Sequence, residues 1–144
     1  MAELKLYPVG IQTFEEIITR NLLYVDKTEY VYRMTHSGGK HFFLSRPRRF
    51  GKSLLVSTLE AYFQGKKELF EGLAVEKLEK DWIKYPILHL DLNIEKYDTS
   101  ESLDNILDKS LTAWEKLYGA EPSERSFSLR FAGIIERACK LAGQ

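Results

Sequence analysis

Cysteine is nearly absent from this sequence, since Cys139 is the single one among 144 residues. One cysteine forms neither a disulfide framework nor a cysteine metal cluster, which excludes a small disulfide-stapled secreted domain. The sequence also lacks an apolar run near the ~20 residues that a membrane span requires. The N-terminus has no basic segment followed by an apolar one, so it does not resemble a secretion signal. These absences predict a cytoplasmic protein with no membrane partner.

The sequence has no excess of either charge, because 21 basic residues balance 21 acidic ones. This neutrality argues against wholesale nucleic-acid or membrane binding and leaves only a local basic patch to consider. Hydrophobic residues make up 44% of the chain and charged residues 29%, which is typical of a globular domain with a buried core.

Apolar spacing and capping residues predict a succession of helices and two short strands. Capping boxes at Thr13 with Glu16 and at Asp26 with Glu29 predict two short helices. Apolar residues at helical spacing predict four more, over residues 52–64, 69–82, 103–117 and 131–141. The apolar segments "HFFLS" (residues 41–45) and "ILHLDL" (residues 87–92) predict buried strands. Strands separated by helices predict an α/β fold with a few parallel strands flanked by helices, although two strands are few for a complete sheet.

The loop after "HFFLS" contains a partial phosphate-binding motif. A P-loop has a glycine, four arbitrary residues and then Gly-Lys-Ser or Gly-Lys-Thr. Gly51, Lys52 and Ser53 fit this pattern, whereas Arg46 occupies the position of the first glycine. The predicted order of strand, loop and helix is the structural context that a P-loop requires.

The chemistry of this loop favours a phosphate ligand. Backbone N–H groups at the start of the following helix are expected to form an anion-binding concavity. Lys52 would contact the β- and γ-phosphates, Ser53 would offer its hydroxyl to Mg²⁺, and Gly51 would allow close backbone approach. The cofactors are therefore predicted to be ATP and Mg²⁺. The predicted nucleotide-binding residues are Arg46, Pro47, Arg48, Arg49, Phe50, Gly51, Lys52, Ser53 and Leu54.

The three arginines of the loop allow several interpretations. They contact phosphate, pair with acidic residues elsewhere, or lie in solvent. The alternative for the whole loop is a basic turn without a ligand.

Asp91 ends the apolar segment "ILHLD", as an acid ends a Walker B strand. No Glu follows it, and in the other interpretation Asp91 and Asn93 cap the next turn. His36, His41 and His89 have no metal-ligand spacing and are expected to be surface or packing residues.

The segment "YVDKT" (Tyr24 to Thr28) also has two interpretations. Asp26 as a helix cap and Tyr24 as a buried aromatic explain it without a ligand. A functional interpretation places the segment near the base of a nucleotide.

Three long segments of the chain together resemble the bacterial AAA-ATPase-like family: "YPVGIQTFEEIITRNLLYVDKTEYVYRM", "FFLSRPRRFGKSLLVSTLEAYFQGKKELFEGLAV" and "YPILHLDLN". The resemblance covers essentially the whole chain, and "YVDKT" and "RPRRFGKS" are its most specific parts. Members of this family commonly replace the first P-loop glycine, as Arg46 does here, and typically carry a PD-(D/E)XK nuclease-like domain further along.

The resemblance implies that residues 1–144 are the N-terminal part of an AAA-like P-loop domain with a partial three-layer fold. Family members continue into an apolar strand ending in Asp-Glu, the Walker B element, and this chain stops before it. In the implied sheet, later strands separate the P-loop strand from "ILHLDL". The isolated chain is therefore expected to self-associate or to be marginally stable.

Three functional hypotheses follow from the sequence. The first is an ATP-binding domain of an ATPase whose hydrolysis needs sequence beyond this chain. The second is a nucleotide-binding or signalling module without turnover. The third is a nucleic-acid contact in which Phe50 stacks on bases and the loop arginines bind phosphates. No base-specifying motif distinguishes ATP from GTP.

Overall fold

The computed structural model describes residues 3–93 and 98–143. Residue 144, the end of the predicted domain, lies outside the described residues. The chain divides into two compact units, Met1–Tyr85 and Pro86–Gln144.

The first unit consists of short helices. Its elements are α1 (Phe14–Thr19), α2 (Thr28–Thr35), α3 (Lys52–Phe63), a 3₁₀ turn (Lys67–Phe70) and α4 (Ala74–Leu78). The three helices predicted before residue 65 are confirmed. The prediction of one helix over residues 69–82 is wrong, because Gly72 at φ +77° separates the 3₁₀ turn from α4 and Trp82 at φ +42° lies beyond it.

The predicted capping boxes differ in detail from the observed helix starts. Thr13 is the N-cap of α1, but its side chain makes no capping bond. Instead the N–H of Phe14 donates to Ser57 Oγ at 2.9 Å, which ties the start of α1 to α3. Helix α2 begins with Lys27 rather than Asp26 as its N-cap, and the predicted partner Glu29 pairs with Arg33.

Aromatic side chains dominate the core of the first unit. Phe14 and Phe70 are fully buried, with ring centroids 4.8 Å apart. Tyr62 of α3 meets Phe70 edge-on at 6.3 Å. Large aromatic rings contribute most of the buried area in a core of this size. The position of α3, which begins at the basic loop, is therefore determined by its packing on this core.

The second unit contains a pair of packed helices, α5 (Ser100–Tyr118) and α6 (Phe127–Ala142), as predicted. The apolar stripe predicted to form their core is only partly buried. Ile106 and Ile134 are buried, whereas Leu117 is 71% exposed and Leu141 is 72% exposed. Trp114, which has the helical spacing of a core residue in α5, is only half-buried, with its ring 6.0 Å from that of Phe131.

Arginine–carboxylate pairs in the second unit join α6 to α5 and to the segment between the two helices. Arg130 binds both carboxylate oxygens of Glu115, at 2.8 and 3.0 Å, and one oxygen of Asp108 at 2.6 Å. Arg137 binds both oxygens of Glu124, at 2.7 and 3.1 Å. Bidentate geometry of this kind fixes orientation as well as adding electrostatic attraction.

The predicted three-layer α/β fold with parallel strands is wrong, because residues 3–93 and 98–143 contain no β-strand. "HFFLS" lies in the first unit and "ILHLDL" lies in the second. Both segments are irregular, and Phe43 is 92% exposed where the sequence predicts a buried strand. A helix satisfies its own backbone hydrogen bonds, whereas a strand needs a neighbouring strand to do so.

No helix in the described part of the chain is both long and apolar enough to cross a membrane.

Candidate functional site

The loop before α3 alternates in the sign of its backbone φ angle. This angle is +65° at Arg49 and +80° at Gly51, and it is negative at Phe50 between them. Helix α3 then begins, and the N–H of Leu55 donates to the carbonyl of Gly51 at 2.9 Å. Alternation between left- and right-handed residues turns successive N–H groups toward one side and forms an anion-binding nest. The loop contains two of the left-handed residues that a nest of this type uses.

Positive charge accumulates at this loop, and no acid among residues 3–93 and 98–143 compensates it. Arg46, Arg48, Arg49 and Lys52 are exposed, and within the described residues their side chains form no ion pair or hydrogen bond. The first turn of α3 contains no acidic residue, whereas the first turns of α1 and α2 do. The positive end of the α3 dipole therefore adds to the charge of the four side chains.

The other predicted nucleotide-binding residues lie in the same loop and at the start of α3, and they differ in how far they are buried. Pro47, Phe50 and Ser53 are exposed, whereas Leu54 is half-buried and packs against the core of the first unit. An added Cβ on Gly51 would meet no heavy atom within 4 Å. In this structure glycine is thus favoured at residue 51 by its positive φ rather than by lack of space.

An apolar cavity of about 620 Å³ opens beside the loop. The sequence did not predict it, because its walls come from segments far apart in the chain. Volumes of 300–1,000 Å³ with apolar and aromatic walls are typical of small-molecule sites, in rough terms. The cavity is lined by Tyr7, Pro8, Ile17, Leu23, Tyr24, Val25, Lys27, Tyr30, Val31, Leu44, Arg46, Phe50, Gly51, Leu54, Leu55 and Thr58.

Asp26 and Thr28 of "YVDKT" join the start of α2 to the start of α4. One Asp26 oxygen accepts from the Thr28 N–H at 2.9 Å and from the Thr28 hydroxyl at 2.6 Å. The other accepts from the N–H of Ala74 at 2.7 Å, and the Thr28 hydroxyl oxygen accepts from the N–H of Val75 at 3.1 Å. Burial acts to raise the pKa of Asp26, but the bonds from Thr28 and Ala74 outweigh it, so the pKa lies below its ordinary value. Asp26 is therefore not the N-cap residue of α2, but its side chain caps backbone N–H groups at the starts of both α2 and α4, which explains this residue without a ligand.

Tyr24 of the same segment forms one wall of the cavity. Its ring meets Phe14 edge-on at 5.2 Å, and its hydroxyl lies near Thr58. Burial and the charge of Asp26 raise the pKa of Tyr24 against the opposing effect of the nearby Thr58 hydroxyl. Tyr24 is half-buried rather than fully buried, so part of its surface faces the cavity.

Asp91 lies in the second unit and has a local hydrogen bond. Its Oδ1 accepts from the N–H of Asn93 at 2.9 Å, which is an Asx turn. This bond agrees with the capping interpretation of Asp91. In the described ranges, no group of three or more His, Cys, Asp or Glu residues is placed to hold a metal ion. His36 stacks on Tyr32 with ring centroids 4.0 Å apart, as expected of a packing residue.

Comparison with known proteins identifies the family to which this loop and its surroundings belong. A family model described as "Predicted AAA-ATPase" matches residues 8–144. The chain belongs to the AAA-ATPase-like family. The predicted resemblance to this family is therefore confirmed.

A protein of Azotobacter chroococcum mcd 1, "Uncharacterized protein in vnfD 5'region", is similar to this chain, with 36% identity over 142 residues. The match covers 97% of this chain and 27% of the relative, so the chain spans about a quarter of the relative's length. The relative therefore has room for further domains. No solved structure matches the chain.

Proposed function

We propose that this chain binds the triphosphate of ATP, together with Mg²⁺, at residues 46–53. The observation that carries the proposal is the coincidence of alternating φ signs with positive charge at the start of α3 that has no partner in the described part of the chain. A nest of N–H groups recognises an anion by geometry, and the side chains add long-range attraction. Membership of the AAA-ATPase-like family supports the choice of a nucleoside triphosphate as that anion.

Individual residues of the loop have separate roles in this proposal. Lys52 contacts the β- and γ-phosphates as a point charge, and the Ser53 hydroxyl serves Mg²⁺. Both side chains are exposed and free of protein partners within the described residues, so they fit these roles. Mg²⁺, when bound, neutralises charge on the phosphate oxygens. The arginines contribute further positive charge at the rim.

The neighbouring cavity favours a nucleotide over a bare phosphate. Arg46, Phe50 and Gly51 belong to both the loop and the cavity wall. A ligand that spans the two therefore needs an anionic part and an apolar, aromatic part. A nucleoside triphosphate has both, and the tyrosines of the wall supply surfaces on which a base stacks.

Hydrolysis, in this proposal, depends on residues of the longer family members. Phosphoryl transfer requires a carboxylate at Mg²⁺ and a residue that orients water. The described cavity wall includes no Asp or Glu, and Asp91 is engaged in its Asx turn in the second unit. We therefore expect the 144-residue chain to bind ATP without substantial turnover.

Calorimetric titration of the chain with ATP and Mg²⁺ tests the binding proposal. Lys52→Ala should weaken binding at least about tenfold, because hydrogen bonds to charged groups contribute about 1.5–3 kcal/mol. Lys40→Ala is the matched control, since Lys40 is exposed and does not line the cavity. Equal affinities of the two variants would contradict the proposal.

Phosphate release and nucleic-acid competition separate the other hypotheses. Release by the wild-type chain that is lost in both Lys52→Ala and Asp91→Ala would make Asp91 a Walker B acid and refute binding without turnover. Displacement of ATP by a short single-stranded oligonucleotide at equal phosphate concentration would favour the nucleic-acid hypothesis.

A further inference from the structure

The segment "YVDKT" contains one charged side chain, that of Lys27, which pairs with no other described residue. Asp26 and Thr28 hold the starts of α2 and α4 together through four hydrogen bonds. Lys27 stands between them as the N-cap of α2, and within the described residues its exposed ammonium has no partner. Its backbone is thus fixed on both sides while its charge is free.

Neighbouring acids do not neutralise Lys27. Both carboxylate oxygens of Asp26 accept hydrogen bonds from Thr28 and Ala74. Glu29, two residues further on, pairs with Arg33. The ammonium of Lys27 therefore stays available to a ligand.

Lys27 lines the same cavity as the loop residues Arg46, Phe50 and Gly51. It comes from a separate part of the chain and thus brings a cation to the cavity from outside the phosphate-binding loop. Apart from Lys27 and Arg46, the described cavity wall contains no Lys, Arg, Asp or Glu. Lys27 is therefore one of two cationic side chains at a wall that is otherwise uncharged, so an anionic group in the cavity meets attraction and no repulsion from the wall.

We propose that Lys27 binds a phosphate oxygen of the nucleotide, as a second cation supplied by the segment before α2. The inference rests on the proposed function, because it needs a nucleotide in the cavity. It gives "YVDKT" a function in which Asp26 and Thr28 position the backbone and Lys27 contacts the ligand. Preorganisation by anchored neighbours reduces the entropy lost when the side chain is ordered.

Binding of ATP and of inorganic tripolyphosphate to the full chain tests this role. The two probes share their phosphates, but only ATP has a base. Lys27→Gln should weaken both about tenfold, as expected for one lost charge-assisted hydrogen bond. Lys27→Arg should retain most of the affinity, because the cation is kept. Lys77→Gln is the control, since Lys77 is an exposed lysine at the end of α4 outside the cavity wall.

The outcomes distinguish this inference from the proposed function. Weaker ATP binding with unchanged tripolyphosphate binding would overturn the phosphate contact and place Lys27 at the nucleoside. A loss no greater than that of Lys77→Gln would overturn any ligand contact by Lys27. Failure of the wild-type chain to bind ATP, or an unchanged affinity in Lys52→Ala, would overturn the proposed function itself. Thermal midpoints of all variants, with Lys27→Met as a second neutral replacement, verify that each is folded.

Discussion

Replacing Thr28 with valine tests whether the shared cap between α2 and α4 holds the first unit together. The change preserves the shape of a fully buried side chain and replaces only its hydroxyl with a methyl group. The N–H of Val75, 3.1 Å from that hydroxyl, would lose its acceptor, and Asp26 would lose a donor at 2.6 Å. An orphaned buried N–H costs about 1–3 kcal/mol. The lost bond to Asp26 adds about 1 kcal/mol, less than the usual value of about 1.5–3 kcal/mol for a charged acceptor, because Asp26 is exposed and water replaces the donor. We expect Thr28→Val to lower the free energy of unfolding by about 2–4 kcal/mol.

Urea unfolding followed by the fluorescence of Trp82 measures this loss in the first unit. A Trp114→Phe background removes the other tryptophan, which lies in the second unit. Thr28→Ser keeps both hydrogen bonds and should cost only about 0.8 kcal/mol for the lost methyl group. Thr19→Val is the exposed control, because its hydroxyl donates only to the carbonyl oxygens of the preceding turn. A Thr28→Val free energy within about 0.5 kcal/mol of the parent, the range of ordinary surface changes, would refute the role of the cap.

Three further changes probe the loop, the core and the second unit. Arg49→Gly should raise the unfolding free energy by up to about 1 kcal/mol in urea titration, because φ at this residue is +65°, while ATP affinity falls with the lost charge. If the unfolding free energy and the ATP affinity both increased, or both decreased, the expectation would be contradicted. Burial and the bond to Glu79 raise the pKa of Tyr62 from 10.0 to about 12. The folded state gains stability from this raised pKa as long as Tyr62 stays protonated, so the gain is complete below pH 10 and is lost as pH rises toward 12. In Tyr62→Phe the free energy of unfolding should therefore decrease less steeply between these pH values. If the free energy of unfolding depended on pH in the same way in Tyr62→Phe and in the parent, this role of Tyr62 would be contradicted. Arg130→Met should destabilise the second unit by about 1–2 kcal/mol by leaving Glu115 without its partner, and Glu115→Gln in the same chain should restore part of the loss. Additive losses in the double variant would argue against the coupling.

The helices could be predicted from the sequence because their signals are local. The start of α3 after Gly51 and the end of α5 before Gly119 both follow from residues within one turn of the boundary. The strands could not be predicted in the same way, since an apolar run becomes a strand only where another strand pairs with it. "HFFLS" has the composition of a buried strand, yet Phe43 is 92% exposed.

The candidate site was predictable in part for the same reason. The Gly-Lys-Ser pattern is contiguous, so the sequence located the basic loop without knowledge of the fold. The cavity wall joins Tyr7, Tyr24 and Phe50, which are brought together only by folding. The bond between Asp26 and Ala74 spans 48 residues and has no sequence signal. Lys27 accordingly became a candidate ligand only when the bonds of its two neighbours were known.

Binding and turnover make different demands on this chain. The loop geometry depends on α3, which is held by Tyr62 in the aromatic core and by the bond from the Phe14 N–H to Ser57. None of these contacts requires a sheet, so we expect the anion affinity of the loop to be present in the 144-residue chain. Turnover requires acids placed around Mg²⁺ and water, which is a long-range arrangement rather than a local one. The chain spans only 27% of its longer relative. We therefore expect added sequence from such relatives to increase the rate of phosphate release far more than it increases the affinity for ATP.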